Sequence, residues 1–162
     1  MNKIERPKAS TLYEKDFAAW IKNQATKLRK RAHNEIDWEN VAEEIETLGR
    51  NQKHEIESRL ALLIHHLLKW QFQPGRRSGS WRITISEQRI WIPGIIKHSP
   101  SMKSYPAKVF KDAYAEGRRQ AINETGLAPK VVPTESPFSV SEALDGKFWP
   151  GEPFQPYDIL RD

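Results

Sequence analysis

The sequence predicts an all-α fold: an irregular bundle of four to five main helices with a proline-rich C-terminal arm laid across it. Three observations carry that prediction. Apolar residues recur at steps of three and four over several long stretches, the spacing of one helix face. Serine, threonine or aspartate stands ahead of most of these stretches, where a helix start needs a side-chain acceptor. After Gly126 the periodicity stops, and Pro129, Pro133, Pro137, Pro150, Pro153 and Pro156 punctuate the remainder.

The first stretch runs from Leu12 to Arg31, with Phe17, Trp20, Ile21, Ala25 and Leu28 on one face. Ser10 or Thr11 caps it, Glu14 stands at capping-box spacing from Thr11, and Lys27, Arg29, Lys30 and Arg31 suit its negative end. A second helix starts at Asp37, with Trp38, Val41, Ile45 and Leu48 as its stripe. Gly49 predicts a break or tight turn there, although a helix can pass through a glycine at about 1 kcal/mol relative to alanine. The strongest pattern follows: Ile56, Leu60, Leu63, Leu67 and Trp70 step by four and three, with Leu62, Ile64 and Leu68 widening the arc. That is the mark of a central helix buried on several sides.

Residues 73–79 read as a loop from their proline and glycine content. Ser80 is then expected to cap a helix carrying Trp81, Ile85, Ile92 and Ile96, with Pro93-Gly94 kinking it or ending it early. A further helix spans Pro106 to Thr125, with Phe110, Ala113, Tyr114, Gly117 and Ala121 inward. In the arm, Ser139 and Glu142 predict one short capped helix. Phe138, Phe148 and Trp149 read as anchors that pin the arm to the bundle.

At 162 residues the chain reads as a single helical domain over 12–150, with tails at 1–11 and 151–162, the last dozen residues expected to be loose. The absence of cysteine excludes a disulfide framework, a thiolate nucleophile, a thiolate zinc site and an iron–sulfur cluster. The start of the chain is polar, with no signal peptide visible, and no run approaches a membrane span. The expectation is therefore a cytoplasmic protein with no membrane partner. The formal charge of +5 is unevenly spread. Asp37, Glu39, Glu43, Glu44 and Glu46 form an acidic run without a base. Lys69, Arg76, Arg77 and Arg82 form a basic one without an acid. Such a molecule can steer partners of either sign.

Asp16-Phe17-Ala18-Ala19-Trp20, Glu43-Glu44-Ile45-Glu46-Thr47-Leu48-Gly49 and His66-Leu67-Leu68-Lys69-Trp70-Gln71 together form a recognisable set. With them go Ser80-Trp81, Thr84-Ile85, Ser99-Pro100-Ser101, Glu124-Thr125-Gly126-Leu127 and Pro137-Phe138. The chain resembles, from about Leu12 to Pro150, the bacterial, largely cyanobacterial family catalogued as domain of unknown function twenty-nine. The resemblance implies an all-α bacterial cytoplasmic protein, and it brings no activity, substrate or catalytic residue.

Three constellations could carry chemistry. Glu43 and Glu46 share a helix face, and with His65 or His66 they supply the residue types of a metal or acid/base site. Bundle di-metal centres, however, need Glu-x-x-His pairs on facing helices, and no two occur here in register. No metal and no cofactor is expected, and the acids read as complements to the helix dipole on a solvated face. Arg59 and His66, seven residues apart on one helix, resemble the Arg/His motif of HEPN-type ribonucleases, in which His moves a ribose hydroxyl proton and Arg steadies phosphorane charge. The third is the basic aromatic segment 69–82. There Lys69, Arg76, Arg77, Ser80, Trp81 and Arg82 are the anion-binding candidates, with Gly79-Ser80 as a nest at a helix start. Pro74-Gly75 is expected to hold Arg76 and Arg77 out of the bundle.

The sequence thus points first to a non-catalytic binding module whose basic loop engages an acidic partner, nucleic acid or protein. The alternative is a metal-independent RNase using Arg59 and His66, with Glu43 or Glu46 as a further candidate. Whether the chain is an enzyme, and its oligomeric state, are left open by the sequence.

Overall fold

The computed structural model describes residues 11–151 and 153, so most of both expected tails lies outside the described residues. Among these residues every regular element is helical: α1 Leu12–Lys15, α2 Phe17–Arg29, α3 Trp38–Phe72, α4 Gly79–His98, α5 Tyr105–Thr125 and α6 Val140–Leu144. Four of the six are long, as an irregular all-α bundle requires. By backbone packing the chain divides into two compact units, Met1–Arg50 and Asn51–Asp162, and α3 begins in one and ends in the other.

In the first unit the predicted Leu12–Arg31 helix is split at Asp16. This residue takes a non-helical backbone and accepts a hydrogen bond from the Ala19 amide through its carboxylate. An aspartate competes with the helix for its own backbone amides, so it ends one turn and caps the next. Tyr13, Phe17 and Trp20 cluster edge-on and stacked. Only Trp20 of the expected stripe is buried, and Phe17, Ile21 and Leu28 are exposed. The second expected stripe fares likewise, with Trp38, Ile45 and Leu48 exposed.

The expected break at Gly49 is absent, and α3 runs through it for 35 residues. Arg50 explains part of this continuity. Its guanidinium reaches back 2.6 Å to Glu43, 2.6 Å to Thr47 Oγ1 and 3.8 Å to Glu46, bracing the turn that contains the glycine. Pro93 does not end α4 either. Its ring lies on the exposed side of the helix, away from the core packing of Ile85 and Ile92.

The second unit is built around the later part of α3. Ile56, Leu60, Leu63, Ile64 and Leu67 are fully buried, and Leu68 and Trp70 nearly so. All of these but Ile56 share one cluster with Ile85 and Ile92 of α4 and Ala113, Tyr114 and Ala121 of α5. Phe110, expected inward, is only half-buried. Gly117 marks the closest approach of α5 to α3: a Cβ there would stand 2.7 Å from the Ala61 carbonyl and 3.0 Å from the His65 amide. Backbone cannot yield to such a contact, so this glycine permits the helix crossing. Gly126 closes α5 with a left-handed φ of 70°.

The arm is laid over this core as expected, with Val132, Phe138 and Ala143 buried and Phe148 and Trp149 packed against it. A proline-rich segment forms little ladder of its own, so its carbonyls need donors from elsewhere. Three arginines supply them. Arg118 donates to the carbonyls of Pro129, Val132 and Pro133. Arg89 donates to Ala143 at 2.8 Å and Phe148 at 2.7 Å. Arg77 reaches Trp70, Pro150 and Pro153. Tyr114 adds its hydroxyl to Pro133.

Candidate functional site

The end of α3, the start of α4 and the end of α5 meet at one place, and three of the recognisable sequence segments meet with them. Lys69 of α3 is 2 % exposed, yet its ammonium is fully engaged: Nζ lies 2.5 Å from Glu124 Oε1 on α5 and 4.2 Å from the centre of the Trp81 ring on α4. The other carboxylate oxygen of Glu124 lies 2.5 Å from His65 Nε2. His66 packs beside His65, with ring centres 4.6 Å apart. A buried lysine is tolerated only when an opposite charge and an aromatic face replace its water, and both are present here.

These charges set the protonation states. Burial holds His65 below the usual imidazole range, and Lys69 adds to that, while Glu124 works in the opposite sense. His66 is lowered further, to about 4, chiefly by burial and also by His65 and Lys69. Its Nδ1 lies 3.0 Å from the Leu62 carbonyl, which makes Nδ1 the nitrogen that carries the proton. Burial opposes ionisation of Glu124, but the hydrogen bond and charge of Lys69 outweigh it and keep the carboxyl below its ordinary value. At neutral pH Glu124 is therefore an anion and the two imidazoles are neutral.

A pH dependence follows. The unfolded chain binds protons at His66 from about pH 6.5 downward, whereas the folded chain resists until about pH 4. Stability is full above pH 6.5 and is lost progressively as pH falls toward 4, with Glu124 adding to the loss at the acid end. His66→Gln is expected to fold and to flatten this slope. Denaturation midpoints measured at a series of pH values check it, and an unchanged slope in the variant contradicts it.

The basic segment divides in two. Ser78, rather than Ser80, caps α4, accepting from the Trp81 amide. Arg76, Ser80 and Arg82 are exposed around that helix start. Arg77 is not held out of the bundle: it is 2 % exposed, stacks on the Trp70 ring at 4.8 Å and donates to the arm. The Pro74-Gly75 turn directs successive side chains to opposite sides, so one arginine faces water and the next faces the core. Lys69 is likewise interior. Trp70 is 1 % exposed, with Trp149 against it at 4.7 Å, and Trp81 is half-buried beneath Lys69.

The remaining candidates are engaged elsewhere. Arg59 binds Glu55 at 2.9 Å and Gln88 at 3.2 Å, and its guanidinium covers the Trp91 ring at 4.7 Å. The charges acting on His66 are those of His65, Lys69 and Glu124. In the first unit, Glu43 and Glu46 share Arg50, and Glu44 accepts the Tyr13 hydroxyl at 2.5 Å. Among the described residues no three His, Asp or Glu side chains are placed to hold a metal ion, and no helix is long and apolar enough to cross a membrane. Sequence reasoning missed Glu124 as the partner of Lys69. The one available signal was its place in the Glu124-Thr125-Gly126-Leu127 segment.

No curated protein and no solved structure matches this chain. The model of one family, described as Domain of unknown function DUF29, matches residues 12–149. That span takes in α1 to α6, the Lys69–Glu124–Trp81 cluster and the arm that covers the core, and the chain belongs to the DUF29 family.

Proposed function

We propose that this domain is a non-catalytic binding module that holds an acidic protein segment at the start of α4. The observation that carries the reading is the exposure of Arg76, Ser80 and Arg82 around the first turn of a 20-residue helix. The first amides of a helix have no internal acceptor, and the dipole adds partial positive charge there. With two guanidiniums beside it, that turn suits carboxylates.

A protein partner is favoured over a nucleic acid because the aromatics of the segment are already covered. Stacking of bases needs open ring faces. Trp70 lies under Arg77 and Trp149, and Trp81 lies under Lys69. The hydrolytic alternative draws no support from its two residues. Arg59 is occupied by Glu55, Gln88 and Trp91. His66, at about 4, is far from the pKa a general base uses near neutrality.

The test is a fluorescence-anisotropy titration with a glutamate-rich peptide, run beside single-stranded RNA and DNA. The parent is expected to bind the peptide in a salt-sensitive way. Replacing Arg76 by alanine is expected to weaken that binding several-fold while leaving the denaturation midpoint in place. Tighter binding of the nucleic acids than of the peptide reassigns the partner. Absence of binding to either removes the proposal.

A further inference from the structure

The first unit leaves most of its apolar surface in water. Of the eleven large apolar residues exposed among the described residues, seven lie in it, each between 41 % and 69 % exposed. Three are Phe17, Ile21 and Leu28 of α2, and three are Trp38, Ile45 and Leu48 of α3. Its buried apolar residues are Trp20 and Ile36 alone among those described. A unit this short usually completes its core with disulfides, a metal or a partner subunit. The chain has no cysteine, and no cluster of metal ligands occurs among the described residues, which leaves the partner.

The two helices present these residues on one side. They run antiparallel, since the Trp20 indole donates to the Asp37 carboxylate at 3.2 Å while Tyr13, just ahead of α2, donates to Glu44 at 2.5 Å. Phe17, Ile21 and Leu28 fall within about 40° of the α2 circumference, and Trp38, Ile45 and Leu48 within about 80° of that of α3. On each helix the apolar stripe comes next round from the packed side, and in an antiparallel pair that turns both stripes the same way. Some 80–100° further round, α2 carries Arg29 and Lys22, whereas α3 carries Glu46 and Glu39. All four are exposed. The face is thus apolar along its middle, cationic at the α2 edge and anionic at the α3 edge.

The complement of such a face is an apolar surface with its charged edges exchanged. The face supplies that complement itself when turned by half a revolution about an axis parallel to the helices. α2 of one copy then lies on α3 of the other, and opposite charges meet along both edges. Turned about the perpendicular axis, α2 would meet α2 and α3 would meet α3, bases against bases and acids against acids. The exposed apolar residues offer roughly 700 Å² per copy before the polar edges are added, near the ~800 Å² per partner of a standard stable interface. Trp38 is a preset anchor: its indole N–H is held at 3.1 Å by the His33 carbonyl and its ring stacks on that histidine, so little freedom is lost on contact.

We infer that the first unit binds the first unit of a second copy of the chain, α2 of each lying on α3 of the other as a four-helix arrangement. Trp20 and Gln24 stand level with Asp37, so Lys22 stands close to level with Glu39. The two-fold axis keeps that level and brings Lys22 of one copy to Glu39 of the other. This pairing is independent of the acidic-partner reading, which concerns the other unit.

Sedimentation equilibrium of the full chain over a wide concentration range tests it. The parent's average mass is expected to climb from 18.8 kDa toward twice that value. Ile45→Ser, at an exposed position, is expected to weaken the dimer about tenfold or more, and Ile90→Ser on the outer side of α4 to leave it unchanged. Lys22→Glu and Glu39→Lys are each expected to weaken it several-fold. Combined in one chain they should restore it toward the parent, a recovery that misfolding could not mimic. A parent that stays monomeric throughout, a dimer indifferent to Ile45→Ser, or a double variant no tighter than either single one overturns the inference.

Discussion

Replacing Leu63 with alanine is expected to destabilise the protein by about 2–5 kcal/mol, the range for removing a fully packed leucine from a core. Leu63 has no exposed surface and sits midway along the seven-residue stripe of α3. Its neighbours Leu60, Ile64 and Leu67 are equally buried, and α4 and α5 both pack on this length of helix. Helices fixed on two sides cannot collapse into the space left by the missing atoms, so a cavity term adds to the lost transfer energy. Urea denaturation of the variant checks this. A midpoint equal to that of the parent would mean that α3 is not the central packing element.

Arg77→Ala is expected to cost about 2–4 kcal/mol, a large effect for an arginine that follows a proline-glycine turn. The change removes the 2.9 Å bond to the Trp70 carbonyl, the longer contacts to Pro150 and Pro153, and the cover of the Trp70 ring. Carbonyls buried without a donor carry the full desolvation penalty. Arg77→Lys should recover little, because an ammonium cannot fork to several acceptors as a planar guanidinium does. Arg76→Ala serves as the control, being exposed and one residue away. Thermal melts of the three variants decide the matter, and equal losses in the Arg76 and Arg77 variants would contradict the division of the segment.

Arg77 also shows what the sequence could and could not convey. Periodicity revealed the buried helix Ile56–Trp70, the span of α5 and the capping box at Ser139, because each depends on residues near in sequence. Gly49 and Pro93 carried breaker signals that failed, one because Arg50 braces the turn and the other because it faces water. The division of the basic segment was hidden for a different reason. Whether an arginine is a solvated cation or an interior donor depends on what lies opposite it. The carbonyls that claim Arg77 are contributed from 73 and 76 residues downstream as well as from Trp70. The pairing of Lys69 with Glu124 spans 55 positions and was equally invisible to local pattern. The candidate anion site was legible as a segment, and only packing could reduce it to Arg76, Ser80 and Arg82.

The claim that an acidic segment binds at the start of α4 can be read residue by residue. Amide ¹H–¹⁵N spectra of the labelled protein, titrated with a glutamate-rich peptide, report which backbone groups change surroundings. The account predicts the earliest and largest shifts at Gly79 and Ser80, with Arg76 and Arg82 moving in parallel and the amides of α3 near Leu63 unmoved. Shifts centred elsewhere, for example along Val109 to Glu116 of α5, with Gly79 and Ser80 unchanged, would contradict it.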